Sequence, residues 1–525
     1  MRRQISAFLF FFLIIETAPA QTPIAAILDT IQHSAFNYFW FQANPANGLI
    51  KDRSSSSSPC SIASEGFGLS AICIGVDHGW VSRSAARDRV LTALMTFWYG
   101  PQGSGDGYIG NFGLFYHMLD MNTARRSPGS ELSTIDTGLL LAGIIDAKQY
   151  FNGTDSLETA LRNYADSIYL RMQWSNMRGP YNFGLALGWM PGTGFSGYGQ
   201  WTGYNEASIM YILAMGSPFF TYRLTQYGWL IWTSTYSWIN YAGYQYVPFP
   251  PLFGHQYSQC WLDLRSISDD KMSSLGITYF ENSRQATLAQ MAYATTNPGG
   301  FPGYSDTLWG LTASDSPEGY SARGAPPAQN DEGTITPTAP ISSIAFAPDA
   351  VIPVIRNLWE NYRSQLWTPY GFRDAFNLKM NWYDTDIIGI DQGPEIIMIE
   401  NYLNSRVWNR FMQNADVQRG LAAAGFATVT GVRPPDLPSL YALSQNYPNP
   451  FNPSTNVRFS LAHREHVTLK VYDTLGRDVA TLLDSTLPAG PHVAVFDARG
   501  LASGVYICRL SAGSFSAARP MVLVR

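Results

Sequence analysis

Charged residues are scarce in this chain. Only 14% of its 525 residues are Asp, Glu, Lys or Arg, and the formal net charge is -5. Such a chain offers no basic surface for a polyanion, so we expect no nucleic-acid partner. Hydrophobic residues make up 46% of the chain, which excludes an intrinsically disordered protein.

Cysteine is rare as well. The four cysteines, Cys60, Cys73, Cys260 and Cys508, lie far apart and none belongs to a Cys-x-x-Cys pair. Zinc sites and redox-active sites usually need such close spacing, so we expect neither a metal nor a cofactor. At most two disulfides could form, and we predict Cys60 with Cys73 as the pair.

Long apolar runs are absent after the N-terminus. Arg2 and Arg3 precede an apolar run, and Ala18-Pro19-Ala20 then fits the small-x-small pattern of a signal-peptide cleavage site. The run is too short to span a bilayer, and no later stretch is both long and free of charge. We therefore predict a signal peptide at residues 1–20, no integral membrane segment and a secreted protein.

Aromatic residues, by contrast, are abundant. They make up 14% of the chain, with 15 Trp and 30 Tyr, and many stand beside Gly, Asn or Asp. Rings of this kind suit stacking against sugars, but a large core uses them too. Composition alone leaves both uses open.

Helical periodicity dominates from about residue 23 to 426. Segments 24–41 and 84–98 place apolar residues on one face, as amphipathic helices do. Segments 134–147 and 207–215 are apolar around the whole circumference, which is typical of the inner helices of a two-layered helical barrel. We predict a helical domain over residues 21–430.

Three loops of this domain are longer than ordinary connections. They cover residues 190–203, 241–255 and 314–338 and are rich in Gly, Pro and aromatic residues. Long loops in compact domains usually bind ligands or act as lids. Surface insertions without a role are the alternative.

The sequence pattern changes after a Pro-rich segment. Pro434, Pro435 and Pro438 predict a stiff linker over residues 431–444. Alternating apolar and polar residues beyond it predict strands. The predicted strands are 456–460, 467–472, 492–496 and 504–510. We predict a small β-sandwich over residues 445–525.

Three motifs mark this tail. They are Gln445-Asn446-Tyr447-Pro448-Asn449-Pro450-Phe451-Asn452-Pro453, then Val471-Tyr472-Asp473 with Leu475-Gly476-Arg477, then Leu501-Ala502-Ser503-Gly504-Val505-Tyr506. With these motifs the tail resembles the type IX secretion sorting domain. The resemblance implies export across the outer membrane by the type IX machinery, followed by removal of the tail or attachment to the cell surface. A sugar-binding appendage is the alternative.

Carboxylates in apolar helices are the candidate catalytic groups. Cleavage of a glycosidic bond needs one group to protonate the departing oxygen and another to activate water or attack the sugar. Glu131 and Asp136 stand at the start of one apolar helix, and Glu206 opens another just after Trp201 and Tyr204. The helix dipole also favours acids in the first turn, so a structural role is the alternative for each. Burial against rings would raise the pKa of Glu206 and keep it protonated, as a general acid requires.

Further rings and hydrogen-bonding side chains are typical of sugar subsites. We predict substrate contacts for Trp201, Tyr204, His255, Tyr257, Trp261, Arg265, Asn282, Arg284, Trp309, Asp391, Gln392 and Glu400. A buried structural histidine is the alternative for His255. Asp315, Asp374, Asp391 or Glu400 could also be the carboxylate that activates water.

A series of segments along the helical part carries a second resemblance. The segments are 66–71, 131–136, 203–207, 253–257, 279–284, 297–301, 309–315, 391–394 and 399–402. In this order they resemble the glucoamylase-like domain of glycoside hydrolase family 144 and of cyclic β-1,2-glucan synthases. The resemblance covers about residues 30–410. It implies an (α/α)6 barrel and, as in characterised relatives, endo-action on β-1,2-glucan that releases sophorooligosaccharides by inversion.

The same resemblance implies functional acids. They fall in the segment from Glu131 to Asp136 and at Glu206, the acids that the helix pattern also selects. Asn205 stands where Ser is expected before the glutamate. We expect no change of chemistry from this departure.

The predicted fold is therefore an all-α (α/α)6 barrel followed by a small all-β immunoglobulin-like sandwich, acting as a monomer on a glucan. In the predicted mechanism Glu206 donates a proton to the glycosidic oxygen, while Asp136 or Glu131 directs water to the anomeric carbon. Inverting enzymes hold the two carboxyl groups about 6.5–9.5 Å apart, and retaining enzymes about 5–5.5 Å.

Two other classes of protein remain open. A polysaccharide lyase on a helical toroid would use Tyr257 and His255 as base and acid, with Arg265 neutralising a uronate. A glycan-binding surface protein would keep the aromatic rings without catalysis. Unsaturated products would indicate the lyase, and the absence of any product would indicate the binding protein.

Overall fold

The computed structural model describes residues 22–429, 442–443, 445–446, 448–461, 465–487, 490–513 and 515–524. The predicted signal peptide and most of the predicted linker lie outside these residues. One hydrophobic core draws on residues 27 to 424 and another on residues 443 to 523. Among the described helices, none has the length and apolar character that a membrane span requires.

Helices build the first unit. They are α1 (Ile24–Phe41), α2 (Ile62–Asp77), α3 (Arg83–Tyr99), α4 (Thr134–Tyr150), α5 (Ser156–Leu170), α6 (Ser208–Gly216), α7 (Gln226–Thr233), α8 (Phe253–Gln256), α9 (Asp270–Ser274), α10 (Tyr279–Thr296), α11 (Thr338–Ile341), α12 (Pro348–Asn357), α13 (Arg363–Leu366), α14 (Gly389–Asn404), α15 (Arg406–Phe411) and α16 (Ala415–Ala423). Short 3₁₀ turns lie at Trp174–Arg178, Phe220–Tyr222 and Ser258–Cys260, and a π-helical turn lies at Leu358–Tyr362.

Strands of two or three residues stiffen the loops between these helices. They are β1 (Cys60–Ser61), β2 (Gly110–Asn111), β3 (Leu114–Phe115), β4 (Met118–Leu119), β5 (Leu132–Ser133), β6 (Gly188–Trp189), β7 (Ile239–Tyr241), β8 (Tyr244–Tyr246), β9 (Ile267–Ser268), β10 (Ala313–Ser314), β11 (Ser321–Ala322), β12 (Thr334–Ile335), β13 (Trp367–Thr368), β14 (Gly371–Phe372), β15 (Phe376–Asn377), β16 (Trp382–Tyr383) and β17 (Ala427–Thr428). The pairs β1–β4 and β10–β11 border the site described below.

Six inner segments form a ring: α2, α4, α6, the α8 turn, α11 and α14. Ser258 Oγ, just after α8, accepts a hydrogen bond from the Ile209 amide of α6. Gln256 donates to Ala339 O of α11, and Thr338 of α11 donates to Asp391 O of α14. Helix α14 packs back against α2. The ring closes, and with the outer helices it forms a helical barrel.

The predicted helices are confirmed closely. Segment 24–41 is α1, and segment 84–98 is α3. The two segments that are apolar all round are α4 and α6, and every residue of α6 is buried. A helix that is buried on all sides has no polar face to expose, which is why these two stand in the inner ring.

The helices α2 and α4 approach each other through two glycines. A Cβ added to Gly66 would lie 2.2 Å from Leu139 O, and one added to Gly143 would lie 1.9 Å from Gly66 O. No side chain fits at such distances. These glycines let two backbones of the inner ring pack in direct contact, which fixes the distance between the loops that precede the two helices.

A buried ion pair joins α15 to α4. Arg410 Nε and Nη2 donate to the two carboxylate oxygens of Asp146 at 2.6 and 2.8 Å, and Asp146 is fully buried. Removing one partner leaves a buried charge without compensation, which costs about 3–5 kcal/mol. We expect Arg410→Met to lower the free energy of unfolding by that amount, measured by chemical denaturation. Arg87→Met, which breaks a pair with the exposed Asp88, is the control; equal losses would contradict the assignment.

The predicted Cys60–Cys73 disulfide is wrong. All four cysteines are free and buried. Cys60 lies in β1 just before α2, whereas Cys73 lies eleven residues after the first residue of that helix. At 1.5 Å per residue this separates the two by about 16 Å along the axis, beyond the roughly 7 Å that a disulfide spans between Cα atoms.

The tail consists of strands. They are β18 (Ala442–Leu443), β19 (Ser454–Leu461), β20 (Glu465–Tyr472), β21 (Asp478–Leu487), β22 (Gly490–Asp497), β23 (Gly504–Ala512) and β24 (Phe515–Leu523). They form two antiparallel sheets, in the orders β18-β19-β22 and β21-β20-β23-β24, and both contribute to the second core. The four predicted strands are confirmed within β19, β20, β22 and β23.

Candidate active site

Polar residues gather at one end of the barrel. An outer helix returns the chain between most inner helices, so the inner helices run parallel and begin at the same end. Asp136 lies in the first turn of α4, Asp391 in the first turn of α14, and Glu206 two residues before α6. The partial positive charge of a helix N-terminus favours carboxylates at such positions.

His117 joins two of the predicted carboxylates. Its Nδ1 lies 3.0 Å from Glu131 Oε1, and its Nε2 lies 3.7 Å from Asp136 Oδ2. The residue just before β4 reaches this place because its amide donates to Glu131 O, next to β5. Ser133 caps α4 and donates to Asp136 Oδ2 at 2.5 Å.

His117 and Glu131 shift each other's pKa values. Burial alone would lower the pKa of His117, but the charges of Asp136 and Glu131 raise it to about 9. Burial in turn would raise the pKa of Glu131, and the hydrogen bond and charge of His117 lower it overall. At neutral pH the group therefore holds a protonated imidazole beside ionised Glu131.

Glu206 is the proton donor candidate of the site. Burial, with a smaller contribution from the charge of Asp136, raises its pKa to about 7. Its Oε2 is buried and has no hydrogen-bond partner among the described residues. Its backbone is fixed from both sides, since Ser258 donates to Glu206 O and Asn205 Oδ1 accepts from the Ala207 amide. A carboxyl group held like this stays partly protonated near neutrality.

A second acidic group surrounds Arg53. Arg53 Nη1 lies 2.8 Å from Asp315 Oδ2 and 3.4 Å from Asp386 Oδ2, and Nε lies 3.4 Å from Asp52 Oδ2. Three distant segments of chain thus meet at one guanidinium. Burial raises the pKa of Asp52, although the charges of Arg53 and His117 oppose this. Asp52 therefore lies close to both groups of the site.

Asp374 and Asp391 form a buried pair beside Arg53. Both are almost fully buried, and their side chains lie within hydrogen-bonding reach, which requires a proton on one of them. Burial raises the pKa of Asp391 to about 8, and the charge of the nearby Glu395 adds to the effect. Burial and the charge of Asp391 also raise the pKa of Asp374. The pair carries a proton at neutral pH.

Two tyrosines link the groups. Burial raises the pKa of Tyr257, and the charges of Asp391 and Glu206 raise it further, so its hydroxyl lies near both carboxyl groups. Tyr320 stands opposite Asp315 at the end of the β10–β11 hairpin. Tyr320 as a whole residue is 48% exposed, whereas burial and the charges of Asp391 and Asp374 raise the pKa of its hydroxyl. Because the hydroxyl faces the acids, the exposed surface belongs to the ring.

Among the described residues, two sets of side chains could geometrically hold a metal ion. His117, Glu131 and Asp136 bring ligand atoms within 4.8 Å of one another, and so do Asp315, Asp374 and Asp384. Positive charge is already present in both places, on His117 and on Arg53. The donor sets therefore match internal ion pairs, and we assign no metal to them.

Some predicted residues lie at this end of the barrel. Trp201 donates from Nε1 to Thr134 Oγ1, at the first residue of α4, and keeps part of its ring exposed. Tyr257 and Asp391 lie between the two acidic groups, and Gln392 follows Asp391. With Glu131, Asp136 and Glu206 they make up the candidate site.

Other predicted residues make structural contacts. Tyr204 and His255 are buried, with ring centroids 4.7 Å apart, and burial lowers the pKa of His255 to about 3. Trp261 is stacked on Phe67 in the core, and Trp309 is fully buried. Asn282 is fully buried and bonds the backbone of Val247.

Three predicted polar residues are engaged in ion pairs. Arg265 pairs with Asp263 beyond the α8 turn, and Arg284 pairs with Glu281 on the outer helix α10. Glu400 is fully buried and bonds His78 and Arg406. It lies nine residues after Asp391 on α14, about 13 Å along the axis, at the opposite end of the helix.

Sequence reasoning missed His117, Asp52, Arg53 and Tyr320. None of them stands at the start of an apolar helix, which was the pattern that selected the carboxylates. Asp315 and Tyr320 belong to the long 314–338 loop, so loop length was the available signal for that hairpin. The Gly-, Ser- and Pro-rich stretch around residue 53 offered no signal that Asp52 and Arg53 belong to the site.

Comparison with known proteins supplies the family. Residues 198–415 match a family model described as "Putative glucoamylase", and residues 445–523 match a secretion system C-terminal sorting domain. A curated relative from Parabacteroides distasonis is an exo beta-1,2-glucooligosaccharide sophorohydrolase (non-reducing end). It is 30% identical over 430 residues, which cover 75% of this chain, and the match spans only 57% of the relative's length.

Crystal structures of related proteins share the fold of the barrel. A protein from Bacteroides uniformis, described as a "putative glucoamylase", is 32% identical to this chain. The TM-score is 0.72, and the match covers 78% of this chain and 98% of that protein. An endo-beta-1,2-glucanase from Chitinophaga pinensis, solved with sophorotriose and glucose, is 28% identical with a TM-score of 0.71, over 78% of this chain and 99% of that one. The chain therefore belongs to the glucoamylase-like family and ends in a secretion system sorting domain.

Proposed function

We propose that the chain is a secreted endo-β-1,2-glucanase that hydrolyses its substrate with two carboxyl groups. The observation that carries the proposal is the half-buried Glu206, whose Oε2 is buried without a hydrogen-bond partner among the described residues and whose pKa is raised to about 7, beside the charge of Asp136. A carboxyl group that stays protonated near neutrality, with a second carboxyl group close by, is the arrangement that glycosidic hydrolysis needs. One chain supplies both groups, so we propose a monomer.

Glu206 acts as the general acid. Its raised pKa lets it give a proton to the glycosidic oxygen as the bond breaks. Asn205 and Ser258 hold the backbone on either side of it. Asn205 stands where Ser was expected. Its side-chain oxygen still supports the backbone beside Glu206, and it also accepts a hydrogen bond from Trp232 Nε1.

Asp136 directs the attacking water. It is the carboxylate whose charge reaches Glu206, and Ser133 and His117 orient it. Glu131 is held by His117 and supports the imidazolium. Asp391 shares a proton with Asp374 and has a pKa of about 8, so it suits hydrogen bonding to a sugar better than proton abstraction.

The proposed substrate rests on the relatives together with the site. Both functionally described relatives act on β-1,2-linked glucose. The site offers the exposed ring of Tyr320, the partly exposed ring of Trp201 and many carboxyl oxygens, which accept hydrogen bonds from sugar hydroxyls. Stereochemical inversion follows from the family resemblance, and the anomeric form of the first product, followed by NMR, tests it.

The tail supports export through the outer membrane by the type IX machinery. We propose a signal peptide at 1–20, a catalytic domain at 21–430, a linker at 431–444 and a sorting domain at 445–525. An immunoglobulin-like sandwich is supported by the two sheets over one core and by Tyr506, whose hydroxyl donates to Ala502 O at 2.8 Å. Tyrosine corners of such sandwiches make the same bond a few residues upstream.

Purified protein incubated with β-1,2-, β-1,3-, β-1,4- and α-1,4-glucans tests the function. We expect sophorooligosaccharides of mixed length from the β-1,2-linked polymer alone, resolved by chromatography. Release of disaccharide only would indicate exo-action. Products from a polymer with another linkage, or no products from any of the four polymers, would contradict the proposal.

The placement of His255 and Arg265 counts against a lyase. The His255 ring is buried among aromatic side chains, and the Arg265 guanidinium is paired with Asp263. Neither group faces the carboxylates described above, so the trio required for β-elimination does not assemble.

A further inference from the structure

A polar groove lies beside the candidate site. Its volume is about 660 Å³. Its lining includes Phe41, Lys51, Ser56, Ser57, Asp120 and Asn122. We call it the side groove. None of these residues was predicted as a site residue, and the mechanism above uses none of them.

The side groove is connected to the candidate active site by two short segments of chain. Lys51 precedes Asp52, and Ser58 Oγ accepts a hydrogen bond from the Arg53 amide. On the other wall β4 connects His117 of the cleft with Asp120 of the groove. Three residues of extended chain span about 10 Å. The groove therefore lies within the reach of a polymer that extends beyond the candidate active site.

The chemistry of the groove suits an uncharged polyol. Phe41, the last residue of α1, is 64% exposed. The side chains of Ser56, Ser57 and Asn122 have no hydrogen-bond partner among the described residues, so their groups are free to bond a ligand. Lys51 and Asp120 carry opposite charges, which leaves no net attraction for an ion. An exposed ring flanked by neutral hydrogen-bonding groups is typical of sugar binding.

We propose that the side groove is a distal glucan-binding site that holds sugar units of a substrate chain beyond those in the catalytic cleft. This proposal rests on the proposed function and deepens it. A second binding region along the chain favours long polymers over short oligosaccharides, and it favours cleavage within a polymer over cleavage at its end. Phe41 stacks on a sugar ring, while Asn122 and the serines bond its hydroxyls.

Binding to the full-length Glu206→Gln protein tests the proposal, because the acid variant retains bound substrate. Affinity for β-1,2-glucan polymer is compared with affinity for sophorotriose, by affinity electrophoresis and calorimetry. We expect Phe41→Ala to weaken polymer binding about three- to tenfold, the loss of one stacking contact, and to leave sophorotriose binding unchanged. Ser57→Trp, which fills the groove from its exposed loop, should have the same selective effect.

Phe220→Ala is the matched control, because Phe220 is 81% exposed and lies outside the groove. Unchanged polymer binding in both groove variants, or equal losses on polymer and trisaccharide, would overturn the distal site while leaving the hydrolase proposal intact. A different outcome would be that the unmutated protein cleaves no glucan, while Phe41→Ala still weakens polymer binding selectively. This result would overturn the hydrolase proposal and support the distal binding site.

Discussion

Glu206→Gln is expected to lower kcat on β-1,2-glucan by about 100- to 10,000-fold, the usual contribution of a general acid. The amide keeps the shape of the side chain but has no proton to give to the glycosidic oxygen. In the unmutated protein kcat/KM should fall as pH rises through about 7, because Glu206 then loses its proton. The residual activity of the variant should lack this decline. A reducing-end assay across pH measures both effects.

Glu281→Gln is the matched control for this change. Glu281 also stands in the first turn of a helix, but on the outer helix α10, where it pairs with Arg284. We expect its kcat and pH profile to match those of the unmutated protein. Activity that survives intact in Glu206→Gln would remove Glu206 from the mechanism.

Asp136→Asn is expected to cause a loss of similar size, about 100- to 10,000-fold in kcat, because the water would lose its base. This substitution should also change the pH profile. The negative charge of Asp136 helps to raise the pKa of Glu206, so removing that charge lowers this pKa. The decline of kcat/KM at high pH should therefore move to lower pH. The pH profile of the residual activity measures this shift.

Glu131→Gln separates the base from its neighbour. Glu131 is engaged with His117, and Asp136 is the carboxylate whose charge raises the pKa of Glu206. We expect Glu131→Gln to reduce activity less and to leave the alkaline decline where it is. If Asp391→Asn abolishes activity and Asp136→Asn does not, the base lies on α14 instead.

The helices of the barrel could be predicted because their signals are local. Helix α1 matches its predicted bounds, and the apolar circumference of α4 and α6 identified them as inner helices. The α8 turn was predicted as part of a loop. Its helical residues are too few to show a period of 3.6, so the inner ring was visible in sequence only in part.

The partners of the predicted carboxylates could not be predicted. His117 reaches Glu131 and Asp136 through strand pairing near β4 and β5, and such register depends on the whole fold. Arg53 meets Asp315 and Asp386 across more than 260 residues of chain. The pattern of carboxylates at helix starts selects acids, and it carries no information about the cations that neutralise them.

In the tail, too, some strands could be predicted from the sequence and others could not. Four strands follow from alternation, but β18, which lies in the predicted linker, and β21 and β24 were missed. The burial along β21 never reaches a fully buried position, and the middle of β24 is exposed. Strands with so little buried surface show a weak period-two signal.

The burial of the four thiols bears on the passage of the protein through oxidising surroundings. A thiol must reach the surface as a thiolate to form a bond with another chain or to be oxidised. Burial raises the pKa of all four, which keeps them as unreactive thiols once the chain has folded. The vulnerable interval is therefore the time before folding. The folded barrel needs no thiol chemistry to mature, and a reducing agent should leave its stability unchanged.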